Sequence, residues 1–177
     1  MDNLKISMTG QDILSYLPNC KIIEYNDLAD YKEITDLLTK PIDYVIILIE
    51  TTADNVGHWF ALLRYGDTIE FFNSYAEAPD VQKNNFISKE KNIEFGQSEN
   101  YLTNLLVKSS FNIIYNKLQL QQYSNGSTTC GRWAVLRLLC LLNQNMDLKK
   151  FLEFIMKLKN KLKINKSYDE IVCMLIP

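Results

Sequence analysis

Ser127-Thr128-Thr129-Cys130-Gly131-Arg132-Trp133-Ala134-Val135-Leu136-Arg137-Leu138-Leu139 is the stretch from which the rest of the chain can be placed. Polar, turn-forming residues (Gln121-Gln122-Tyr123-Ser124-Asn125-Gly126) run into it, and apolar residues at helical spacing run out of it. Cys130 therefore falls in the first turn of a buried helix, where unsatisfied backbone N–H groups and the helix dipole favour an anion. A thiol there is expected to have a depressed pKa and to be partly thiolate near neutrality, the form that attacks carbonyl carbon. The bland alternative is a small core residue, the commonest use of a free cysteine.

The chain has 177 residues, 47% hydrophobic and 23% charged, with 6 Gly, 4 Pro and a net charge of −2. That is an ordinary globular composition, long enough to bury a sizeable core, and residues 1–177 read as one domain. The charge does not mark the whole protein as a binder of nucleic acid or membrane. Met1-Asp2-Asn3-Leu4-Lys5 lacks signal-peptide architecture, and the longest apolar run, Tyr44 to Ile49, is too short for a bilayer span. The expected setting is intracellular and not secretory. Cys20, Cys130, Cys140 and Cys173 show no C-x-x-C pairing, and one histidine is too few for a zinc cluster. Neither a metal nor a nucleotide cofactor is expected, since no glycine-rich phosphate loop occurs.

Thr9-Gly10-Gln11-Asp12 reads as a helix cap, and Lys21 to Tyr25 as a short strand. Asn26 or Asp27 is expected to cap a helix carrying Leu28, Tyr31, Ile34, Leu37 and Leu38. Asp43 to Ile49 is apolar on both faces and reads as a covered central strand. Gly57 to Arg64 and Thr68 to Asn73 form a hairpin about Tyr65-Gly66-Asp67. A long polar loop follows, from Ala76 to about Ser98. Glu99 to Val107 is a helix and Phe111 to Tyr115 another strand. Helices are expected over Thr129–Asn143, Asp147 to about Leu162, and Ser167–Leu175, the last opened by a capping box. Segregated strands and helices in this order predict an α+β domain, with a central, mostly antiparallel sheet of three or four strands flanked by helices.

If Cys130 is a nucleophile served by an imidazole, the base must be His58, the only histidine. It lies between Gly57, which keeps the backbone side open, and Trp59, an aromatic able to wall a groove. The hairpin places residues 73 to 75 opposite position 58, so Asn73 is a direct or diagonal neighbour. Its carbonyl there can accept the imidazole N–H and fix the tautomer. The Cys130 N–H and the carboxamide of Gln122 or Gln121 are candidate donors to an oxyanion. Each also has a plainer reading: a structural histidine, a turn asparagine, solvated loop glutamines.

In the order His58, Asn73, Gln122, Cys130, the chain resembles the adenovirus-type maturation proteases and the related SUMO- and ubiquitin-like-specific cysteine proteases. The matching motifs are Gly57-His58-Trp59, Phe71-Phe72-Asn73-Ser74-Tyr75 and the turn into Thr129-Cys130-Gly131, with looser similarity to virophage and large DNA virus members. Asn73 stands where the family more often has an acid. Gln122 is preferred to Gln121 because Gln122-Tyr123-Ser124-Asn125 matches the family's Gln-x-x-Asn run. The resemblance implies a papain-like fold with permuted chain order and peptide-bond hydrolysis through an acyl-enzyme. It implies small residues, often glycine, beside the scissile bond, and virion or capsid precursors as substrates. It also implies action at the virus assembly site in the host cytoplasm, with packaging in the virion. Because adenoviral relatives use DNA and a peptide as activators, the resemblance also implies DNA or an activating peptide as a partner; Lys149, Lys150, Lys157, Lys159, Lys161, Lys163 and Lys166 make the C-terminal third locally basic, although a solvated helix face explains them as well. The alternatives are a protease that removes a ubiquitin-like modifier and a non-catalytic binding protein of the same fold.

Overall fold

Alternate residues of the Asp43–Ile49 stretch are buried on opposite sides, Val45, Ile47 and Ile49 in one apolar cluster and Ile46 and Leu48 in another. A strand apolar on both faces needs a layer of cover on each. The computed structural model, which describes residues 3–123, 126–161 and 166–177, has both layers. In chain order the elements are α1 (Gly10–Tyr16), β1 (Lys21–Glu24), a 3-10 turn (Tyr25–Asp30), α2 (Ile34–Leu37), β2 (Ile42–Ala53), β3 (Val56–Tyr65) and β4 (Thr68–Phe72). There follow α3 (Val81–Phe86), α4 (Lys89–Glu94), α5 (Tyr101–Lys108), β5 (Asn112–Tyr115), α6 (Cys130–Gln144), α7 (Leu148–Lys161) and α8 (Tyr168–Leu175).

One open sheet holds the strands in the order β1-β2-β3-β4-β5. The three central strands pair antiparallel, as expected. Both edge strands pair parallel, which makes the sheet mixed and five-stranded rather than mostly antiparallel with three or four. The reason is connectivity: each edge strand is joined to its neighbour by a crossover through helical turns, and crossovers return parallel. Residues of α1, α6, α7 and α8 cover one face, and residues of the 3-10 turn, α2 and α5 cover the other.

Two local expectations are corrected. The helix expected from Asn26 or Asp27 through Leu38 is instead the 3-10 turn and α2, because Asp27 accepts from the Glu24 N–H and Asp36 from the Glu33 N–H, so each short turn is capped separately. Leu28, Ile34, Leu37 and Leu38 are buried all the same. The polar loop from Ala76 to Ser98 contains α3 and α4, held by a buried Asn92 whose amide donates to the carbonyls of Lys83 and Ile87 at 3.2 and 3.3 Å. The caps at Thr9 and Ser167 form as read, with Asp12 and Glu170 closing them.

α6 is buried along most of its length. Its Arg137 makes a two-pronged bond to Glu70 of β4, 2.7 Å on each prong, with both side chains wholly buried. That pair fixes the cysteine-bearing helix against the sheet. The exposed lysines Lys149, Lys150, Lys157 and Lys161 lie on α7, Lys159 stacks on Tyr168 and Lys166 pairs with Glu170. Leu162 and Lys163 lie outside the described residues.

Candidate active site

The β3–β4 ladder runs from Tyr65↔Thr68 to Ala61↔Phe72. Continued past that last pair, the register sets Tyr75 opposite His58 and Asn73 diagonal to it. The side chains meet: His58 Nε2 lies 2.9 Å from Asn73 Oδ1. Asn73 Oδ1 also accepts from the Tyr75 N–H at 3.0 Å, while its amide nitrogen donates to Gln82. This arrangement makes Nε2 the protonated nitrogen and leaves Nδ1 as the basic one. Buried Asn116, just beyond β5, brackets the Asn73 backbone, accepting from its N–H at 3.0 Å and donating to its carbonyl at 2.7 Å. Tyr75 stacks on the His58 ring with centroids 4.9 Å apart, Tyr123 stacks on Tyr75, and Phe86 on Tyr123.

Cys130 is the first residue of α6 and is buried. The backbone N–H groups of Trp59, Gly131 and Cys130 itself face its thiol. Trp59 adjoins His58, so the thiol sits against the strand that carries the imidazole. The packing is close: a Cβ on Gly131 would come within 3.0 Å of Met8 and 3.2 Å of Trp59. The Trp59 indole donates to the Met8 carbonyl at 2.9 Å. Gly57 has a backbone reason to be glycine, since a Cβ there would lie 1.9 Å from the Ile49 carbonyl oxygen.

The depressed thiol pKa expected from the helix start is not what the site holds. Burial pushes the Cys130 thiol up, and this outweighs the N–H groups and Arg132, which pull it down. Burial likewise pushes the His58 imidazole down to about 4, against the opposing bond to Asn73. Both groups therefore rest neutral at pH 7.

The two glutamines differ. Gln121 is buried and its carboxamide is committed, accepting from the Ser74 hydroxyl and donating to the Ser127 carbonyl, each at 2.7 Å. Gln122 is exposed, and its backbone N–H donates to Asp169 Oδ2 at 3.0 Å. Ser124 and Asn125, part of the turn and of the Gln-x-x-Asn run, lie outside the described residues. Asn116 and Asp169 escape the sequence reading. Asn116 follows a strand like any turn residue, and Asp169 is masked by the capping pattern around it. A groove of about 750 Å³ is lined by residues including Met8, Thr9, Glu24, Leu48, Gly57 and Trp59; it reaches the residues on either side of His58, but neither His58 nor Cys130 lines it.

Among the described residues no cluster of His, Cys, Asp and Glu could hold a metal ion, and no helix is long and apolar enough to cross a membrane. No family model matches the chain. It is 34% identical over 173 residues to the uncharacterized protein V9 of Sputnik virophage, covering 97% of this chain and 94% of that one. Among solved structures it is similar to the pS273R protease of ASFV, with a TM-score of 0.46 and 15% identity over 84% of this chain. The chain spans 62% of that protease. At that score the likeness lends nothing to the chemistry, which rests on the side-chain geometry.

Proposed function

We propose that this chain, which belongs to the family of the virophage protein V9, is a cysteine endopeptidase. The observation that carries the reading is the 2.9 Å bond between His58 Nε2 and Asn73 Oδ1, beside a thiol packed against the next residue of the same strand. The cysteine opens a buried helix whose first N–H groups face it. In this reading the catalytic order along the chain is His58, Asn73, Gln122, Cys130, the permuted papain-like order.

The resting site is a neutral thiol and a neutral imidazole, so attack and proton transfer are coupled. Cys130 Sγ adds to the scissile carbonyl carbon as its proton passes to His58 Nδ1. The oxyanion is received in this reading by the Cys130 N–H and the Gln122 carboxamide. The imidazolium then gives its proton to the leaving amine, and water hydrolyses the thioester with His58 again as base. Asn73 is uncharged and fixes the tautomer without a counter-charge.

The groove beside Trp59 has the volume of a ligand site and would take the peptide, with small residues next to the scissile bond. The substrates in this reading are virion or capsid precursors, cut at the site of virus assembly. The exposed lysines of α7 are the surface that a DNA activator would use. The test is processing of purified virion precursors, with glycine-containing peptides and modifier fusions alongside. Wild-type protein cleaves the precursors and Cys130→Ala does not. Equal processing by Cys130→Ala would remove the reading, and turnover of modifier fusions alone would replace it with deconjugation.

A further inference from the structure

Thr129 occupies the N-cap position of α6, and threonine there ordinarily turns its hydroxyl onto the helix's own first N–H groups. This one makes no such bond. Its hydroxyl donates instead to Oδ1 of Asp169, a buried residue of α8 forty positions along the chain. The other oxygen of the same carboxylate accepts from the backbone N–H of Gln122 at 3.0 Å. The cap of α8 is made without Asp169, by Ser167 and Glu170. A buried carboxylate is costly unless its oxygens are satisfied, and here both are satisfied by the segment that leads into Cys130, at Gln122 and at Thr129.

We propose that Asp169 is a positioning residue for the acyl-transfer site, resting on the endopeptidase reading. Its carboxylate ties the Thr129 hydroxyl, on the residue before Cys130, to the Gln122 backbone, so the Cys130 N–H and the Gln122 segment are held in one arrangement. It also fixes the Gln122 backbone at a set distance from Cys130. Asp169 touches neither substrate nor thiol in this role; it sets where the donors are.

The experiment separates oxyanion binding from thiol reactivity. A peptide aldehyde ending in glycinal adds the Cys130 sulfur to its carbonyl carbon. The C=O π bond breaks, the thiol proton passes by way of His58, and the oxygen of the hemithioacetal needs the same donors as the transition state. Iodoacetamide forms a C–S bond by displacing iodide and makes no oxyanion. In Asp169→Ala, kcat and aldehyde affinity fall by about ten- to a hundredfold, while KM and the alkylation rate of Cys130 stay near wild type. Asp169→Asn recovers most of the loss, because an amide can accept from the Gln122 N–H and donate to a rotated Thr129 hydroxyl. Thr129→Val, which keeps the side-chain shape, gives a smaller loss of aldehyde affinity at unchanged alkylation and carries the test should Asp169→Ala not melt cooperatively. Aldehyde affinity and kcat unchanged in Asp169→Ala would overturn the proposal, as would parallel loss of alkylation and affinity with no rescue by Asn. A wild type that binds no aldehyde and cleaves nothing would remove the endopeptidase reading, and this proposal with it.

Discussion

His58 is the only histidine in the chain, so its protonation can be followed without assignment. Burial holds the folded imidazole at about 4 against an ordinary 6.5. An NMR titration of the ring is predicted to show a midpoint near 4, and an ordinary midpoint would contradict the buried arrangement. The sign of the stability effect follows. Between pH 6.5 and 4 the unfolded chain binds the proton and the folded chain does not, so stability is lost as pH falls through that window and is unaffected above it. The loss is up to about 3 kcal/mol. His58→Gln removes that increment. Asn73→Asp places a carboxylate on Nε2 and raises the midpoint, because an opposite charge favours the imidazolium.

At the scale of elements, α6 is the part whose position matters most, and Arg137 with Glu70 places it. Glu70→Ala leaves a guanidinium buried without its carboxylate and is predicted to cost about 3–5 kcal/mol in urea denaturation. Replacing the two together by apolar residues of similar volume costs much less. Equal costs would show that packing, not charge, seats the helix. The sequence announced α6 by its spacing, β2 by its two apolar faces and the β3–β4 hairpin by Gly66-Asp67. It did not announce the split at Tyr31, because Leu28, Ile34, Leu37 and Leu38 keep helical spacing across two separately capped turns. Nor did it announce α3 and α4, whose anchors, Lys83 and Asn92, are polar residues that become buried. The parallel edges were hidden too, since pairing direction depends on crossovers rather than on residues within a strand.

Taken as a whole, the molecule brings His58 of β3 onto Asn73 beyond β4 and seats the helix start at Cys130 against Trp59, the residue after His58. The His58–Asn73 contact was legible because a hairpin register links the two, and the helix start at Cys130 because turn-forming residues run into it. Asp169 and Asn116 were not, because each makes its contacts across long stretches of chain that no local pattern reports. The thiol's resting state was misread for the same reason, as a helix start can be named from sequence while the burial that overrides it comes from Met8, Trp59 and the sheet. The most direct measurement is iodoacetamide labelling near neutral pH, read cysteine by cysteine by mass spectrometry, on wild type and His58→Gln. Cys130 labelling is predicted to slow about tenfold or more in the variant, with half-buried Cys173 labelling equally in both. Cys130 labelling at one unchanged rate in the two proteins would contradict a nucleophile served by His58.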